Sequence, residues 1–131
     1  MRKLLCVCVA VLGLCLMGTY VSVSRAADDN NSITGVLIDN MCGGKQMSKD
    51  DPEAAAAKHP KACAMKDGCA KSGYAVISGK KMYKLDEKGN QLAKEYLGKE
   101  GNGTKVMIKG SAQGDTFAVT SLDSAGGGQE K

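Results

Sequence analysis

The chain has no tryptophan, a single phenylalanine and a single histidine, and aromatic residues make up only 4% of it. An oligonucleotide groove uses stacking platforms along a positive stripe. Neither is present, so nucleic acid is not an expected partner. No apolar run reaches the roughly 20 residues of a membrane helix. With one histidine, a blue-copper site built on two imidazoles is excluded. Neither C-x-x-C nor C-x-x-C-H occurs, which excludes thioredoxin-like redox chemistry and covalent c-type haem. No phosphate-cradling glycine loop follows a strand: Gly43-Gly44 is too short, and Gly126 to Gly128 lies near the end of the chain.

What is present begins with an export signal. Arg2 and Lys3 precede the apolar run Leu4 to Met17, and Ser24-Arg25-Ala26 places small residues at −3 and −1 of a cleavage point after Ala26. Leu14 before Cys15 does not fit a lipoprotein signal. Residues 1–26 are therefore expected to be a signal peptide, and the protein to be exported, periplasmic or extracellular, with no membrane association after cleavage. Six cysteines fall to three, because Cys6, Cys8 and Cys15 leave. The formal charge falls from +4 to +1 with the loss of Arg2, Lys3 and Arg25. The apparent basicity is thus a targeting feature.

The remaining chain, about 105 residues, reads as one domain at 33–123 with a modest core, a flexible lead-in at 27–32 and a flexible tail at 124–131. Ile33 to Asp39 is a β-rich run, with Gly35 marking a bend or bulge. Met41 to Lys49 is glycine-rich and reads as irregular. Asp50 or Asp51 caps a short helix that starts at Pro52, gains propensity from Ala54 to Ala57 and ends before Pro60. Lys61 to Lys66 forms a further turn closed by Asp67-Gly68. Tyr74 to Ser78 and Lys81 to Leu85 read as a hairpin about Gly79-Lys80. Asp86 to Asn90 is a turn-rich break, followed by a helix over Gln91 to Lys99 with Leu92, Ala93, Tyr96 and Leu97 on one face. Thr104 to Lys109 and Thr116 to Leu122 are the last strands, with a turn at Gly110 to Asp115. This order predicts an all-β to α+β fold: a five-stranded OB-like barrel with a Cys-rich helical insertion between strands 1 and 2 and a helix between strands 3 and 4. In that architecture the first connecting loop contacts ligands.

Asp39-Asn40-Met41-Cys42-Gly43, the later Cys63 and Cys69, Gly79-Lys80-Lys81-Met82-Tyr83, and Val106 to Gly110 with Gly114-Asp115-Thr116-Phe117-Ala118-Val119 together resemble an uncharacterised family of small exported bacterial proteins. Its members carry a D-x-x-C-G…C…C loop and an OB-like β domain. The resemblance covers most of the exported chain and carries no activity with it. Relatives have histidine four places after the first cysteine, where this chain has Gln46.

The chemistry is concentrated between Cys42 and Cys69. Three thiols in an exported protein invite a disulfide. Cys42–Cys69 or Cys42–Cys63 would contribute roughly 3–4 kcal/mol, and the shorter Cys63–Cys69 closure roughly 2 kcal/mol, in the chain-entropy model. The odd cysteine is then free, functional, or available for an intermolecular disulfide. Alternatively Cys42, His59, Cys63 and Cys69 form a Cys₃His set suited to zinc or copper(I), with Met41, Met47 and Met65 offering soft thioethers beside it. Methionines in such positions more often fill the core. A Cys–His pair alone does not make a hydrolase, because the oxyanion site and orienting third group are not evident. Asp39 reads as a turn residue or helix-end acceptor. The leading expectation is a non-catalytic binding or interaction module with a disulfide-braced loop, no catalytic residue and no obligatory cofactor. The alternative is a periplasmic zinc or copper(I) binder. Bridging distance between two sulfurs with His59 turned away favours the brace; convergence of the donors favours the metal.

Overall fold

The computed structural model describes residues 31–126, and the expected signal peptide, residues 27–30 and residues 127–131 lie outside them. Among the described residues five strands and five helices follow one another in an α+β arrangement. Strand β1 (Asn31–Asp39) leads into helices α1 (Asn40–Gln46), α2 (Pro52–Ala57), α3 (Lys61–Ala64) and α4 (Asp67–Lys71). The hairpin β2 (Tyr74–Ser78) and β3 (Lys81–Leu85) comes next, then α5 (Glu87–Gly98) and the pair β4 (Lys105–Gln113) and β5 (Thr116–Ser124). The sheet is mixed and closes in the order β1-β2-β3-β5-β4 into a barrel-like ring. All pairings are antiparallel except the short β3–β5 contact, where Lys84 faces Thr116 and Leu85 faces Phe117. Among the described residues no helix is long and apolar enough to cross a membrane.

Closure depends on β1 changing partners. Asn31 to Val36 pair with β4, whereas Val36 to Asp39 pair with β2. Gly35 sits at that exchange. A Cβ there would press on the Ile77 carbonyl oxygen and lie 2.8 Å from Val76 Cγ1, so the backbones approach too closely for any side chain. The expected irregularity at Gly35 therefore reflects close packing at the exchange of partners. The ladder irregularity lies elsewhere, between Lys109 and Gly110 in β4.

From Gly35 to Asp39 strand β1 is buried on both faces, which explains the unbroken apolar run Val36 to Ile38. Leu37 joins the interior cluster with Val76, Val106, Ile108, Phe117 and the α5 residues Ala93 and Leu97. Val36 and Ile38 join Ala56 and Ile77 in a second cluster, against which Cys42, Met47 and Met82 pack. Because side chains alternate along a strand, the Cys-rich insertion must cover the outer face of β1 and β2. It acts as a second layer of core.

Several local expectations are corrected. The stretch after Asp39 is not irregular but helical: Asp39 caps α1, and Gly43 is buried where a Cβ would stand 3.1 Å from both Ile38 Cγ2 and Met82 Cε. Asp67-Gly68 opens α4 instead of closing a turn. The break at Asp86 to Asn90 is the start of α5. Asp86 Oδ1 accepts the Gly89 N–H (2.8 Å) and the Val119 N–H (3.2 Å), and Gly89 lets the helix approach Val119. Strands β4 and β5 run on to Gln113 and Ser124, leaving only Gly114-Asp115 as the turn. Asn31 and Ser32, expected in the lead-in, and Ser124, expected in the tail, belong to strands. Asp51 caps α2 through the Ala54 N–H, with Pro52 in its first turn, as the sequence predicts.

Two glycine substitutions should separate these roles. Gly35→Ala is expected to destabilise by about 2–3 kcal/mol, because carbonyl backbone cannot yield as a side chain can. Gly44→Ala, where a Cβ meets nothing within 4 Å, should stabilise by up to about 1 kcal/mol through helix propensity in α1. Urea denaturation of both variants measures this; equal effects would refute the partner-exchange account.

Candidate functional site

The D-x-x-C spacing has a structural reason. Asp39 ends β1 with extended backbone, and its Oδ1 accepts the N–H of Cys42 at 2.9 Å. This is the bond of an N-cap side chain to the third residue of its helix, and it sets the cysteine beside the carboxylate. The start of α1 is then tied to the end of α4. Asn40 donates its backbone N–H to Gly73 O (2.9 Å) and its Nδ2 to Ser72 O (2.7 Å). Ser72 Oγ donates to Cys69 O at 2.6 Å and accepts the Met41 N–H at 3.3 Å. These bonds bring Cys69 back to Cys42 across the whole insertion.

The other two residues arrive on α2 and α3. His59 follows α2, its N–H donating to Ala56 O at 2.9 Å. Pro60 prevents α2 from continuing and caps the start of α3, which carries Cys63. Two contacts fix α3. Tyr74 donates its hydroxyl to Ala64 O (3.3 Å), and Lys61 Nζ donates to the carbonyls of Lys99 (2.8 Å) and Asn102 (3.1 Å).

The result is a cluster of donors. One ligand atom each from Cys42, His59 and Cys63 lies within 4.8 Å of the others, and so does one each from Asp39, Cys42 and Cys69. The four residues expected to act together thus divide into two sets sharing Cys42, and Cys69 groups with Asp39 instead of His59. The expected disulfide is not formed: Cys42, Cys63 and Cys69 are free thiols, each partly exposed. His59 also lines an open cleft of about 470 Å³ with Lys58, Lys61, Asn102 and Thr104, which leaves this one member of the first set reachable from solvent. Met47 packs in the outer core, while Met41 and Met65 are exposed.

Burial and the Asp39 charge favour the neutral thiol at Cys42 and Cys69. Burial, reinforced by the Asp39 charge, pushes the Cys42 thiol up to about 11 from an ordinary 9.0. Burial and then Asp39 raise Cys69 as well, and the Tyr74 phenol is raised by burial, then Asp39 and Cys69. Asp39 is completely buried, and its Oδ2 has no hydrogen-bond partner. Of the two roles its sequence position suggests, turn residue or helix-end acceptor, Asp39 fills the second. The signal for its place beside the thiol was the capping spacing itself, since any thiol at that position stands against the cap's carboxylate.

No family model, curated protein or solved structure matches this chain. The chemistry of the site therefore stands on its own residues.

Raising the Cys42 pKa from 9.0 to about 11 lowers its thiolate population at neutral pH by about 100-fold. Alkylation of Cys42, followed by peptide mass spectrometry, should be correspondingly slow at pH 7 and accelerate about tenfold per pH unit through pH 10. A rate that levels off below pH 9 would contradict the assigned environment.

Proposed function

We propose that this protein is a small exported binding module that holds a thiophilic metal ion, zinc or copper(I), through Cys42, His59 and Cys63. The observation that carries this reading is the convergence of their donor atoms within 4.8 Å. They come from α1, from the bend after α2 and from α3, in a loop whose hydrogen bonds and apolar face anchor it to the sheet. Two thiolates and an imidazole are the donors of structural zinc sites and of soft copper(I) sites. The reading also draws on the free state of the three thiols, which leaves them available as ligands instead of as a structural brace.

The module is proposed to be non-catalytic. An activated nucleophilic cysteine has a lowered pKa, near a positive group or helix N-terminus. Although Cys42 sits in the first turn of α1, burial and Asp39 raise its pKa. That environment suits a thiol deprotonated by a metal ion. The ring order, with α5 between β3 and β4 and the insertion between β1 and β2, supports an OB-like barrel whose first connecting loop bears the ligand. Export rests on the N-terminal charge, apolar run and Ser24-Arg25-Ala26, and is in keeping with the resemblance to small exported bacterial proteins.

Anaerobic titration of the reduced chain from Ala27 onward with zinc(II) and with copper(I) tests the proposal. Tight, saturable uptake is expected with at least one of them. Affinity at this site should fall by more than about 100-fold in His59→Ala and Cys63→Ser, beyond the loss expected for an outer-sphere partner. Unchanged affinity in both variants would remove the site.

A further inference from the structure

The first donor set leaves Asp39 and Cys69 unused, yet both belong to a second set of the same tightness that includes Cys42. Asp39 is the conspicuous member. It is fully buried, Oδ1 is occupied by the Cys42 N–H, and Oδ2 has no hydrogen-bond partner. A buried carboxylate oxygen normally finds a donor or a cation. One oxygen of this carboxylate lies within 4.8 Å of the Cys42 and Cys69 sulfurs, which become anionic once a metal binds.

We propose that Asp39, Cys42 and Cys69 hold a second divalent ion, with the Cys42 sulfur bridging it to the ion held by His59 and Cys63. This rests on the metal-binding reading above and narrows it towards zinc. Charge supplies the first reason. Asp39 and the thiolates of Cys42, Cys63 and Cys69 bring four negative charges to one partly buried pocket, and two divalent cations neutralise them. A single divalent ion leaves two negative charges in excess, as do two copper(I) ions. Ligand type supplies the second reason, because a carboxylate beside two thiolates suits borderline zinc better than copper(I). Geometry supplies the third. The two sets share one sulfur, and Cys69 groups with Asp39 and Cys42 instead of with His59, so two three-ligand sites meeting at Cys42 use all the donors. Binding of both ions releases the three thiol protons.

The test is zinc stoichiometry in the reduced chain from Ala27 onward, which carries the described fold and the three site cysteines. Anaerobic zinc(II) titration with a chromophoric competitor, checked by native mass spectrometry, is expected to give two ions per chain. Asp39→Asn and Cys69→Ser should each retain one, as should His59→Ala and Cys63→Ser, while Cys42→Ser loses tight binding of both. Asparagine caps a helix about as well as aspartate, so Asp39→Asn should keep the fold, which far-UV circular dichroism verifies. Cys69→Ser tests the same site without altering the cap. One ion in the unaltered chain that survives Asp39→Asn and Cys69→Ser would overturn the second site and leave the first standing. One ion lost in every variant would mean a single site and also overturn it. No uptake at all would remove both.

Discussion

The hydrogen bond from the Cys42 N–H to the buried Asp39 carboxylate is the interaction on which the insertion depends. It ends β1, starts α1 and settles which way the chain leaves the sheet. Without the cap, the N–H groups of the first turn would be left without a partner at the edge of the core. With it, α1 can lay Gly43 against Ile38 and Met82, and Cys42 is delivered to the carboxylate. The same side chain therefore serves folding through one oxygen and leaves the other buried without a partner.

Packing extends what the cap begins. The insertion is not a loop hanging from the ring, since α1 and α2 bury the outer face of β1 and β2 through Ala56, Met47 and Cys42. The Glu53 carboxylate accepts the Gly79 N–H, tying α2 to the β2–β3 hairpin. Lys61 and Tyr74 tie α3 to the segment after α5 and to β2. Each tie uses a side chain to satisfy a backbone group that no ladder or helix reaches. A ligand cluster assembled from four separate segments can hold its shape only if those segments are fixed individually, and here every one is.

Much of the fold was legible because its signals are local. Strands β2 and β3 and the Asp51-Pro52 helix start follow directly from β-rich composition, turn glycine and cap chemistry. The misreadings share a cause: glycine. Gly43-Gly44, Gly68 and Gly89 weaken helix propensity, so α1, α4 and the first turn of α5 read as turns. At Gly43 and Gly89 the glycine is present because another element packs where a side chain would be, and that neighbour is distant in sequence. Gly110 misled in the same way. It reads as a turn, but it lies at a bulge in β4 with φ of 155°, where a Cβ would strike the Ala118 carbonyl oxygen.

The sequence by itself determined the inventory of the site: three cysteines and one histidine in one insertion, with Asp39 a turn residue or helix-end acceptor just ahead of Cys42. That much follows from composition and from capping, which operates within a single turn. The tertiary structure decided the partnership. It set Cys42 in reach of His59 and Cys63 on one side and of Asp39 and Cys69 on the other, and it left Asp39 Oδ2 buried without a partner. Those distances depend on α1 and α2 packing against the outer face of β1 and β2 while Ala64 of α3 and Ala70 of α4 pack against the interior cluster. Contacts between segments so far apart in the chain follow no sequence period, so only the folded molecule could specify them.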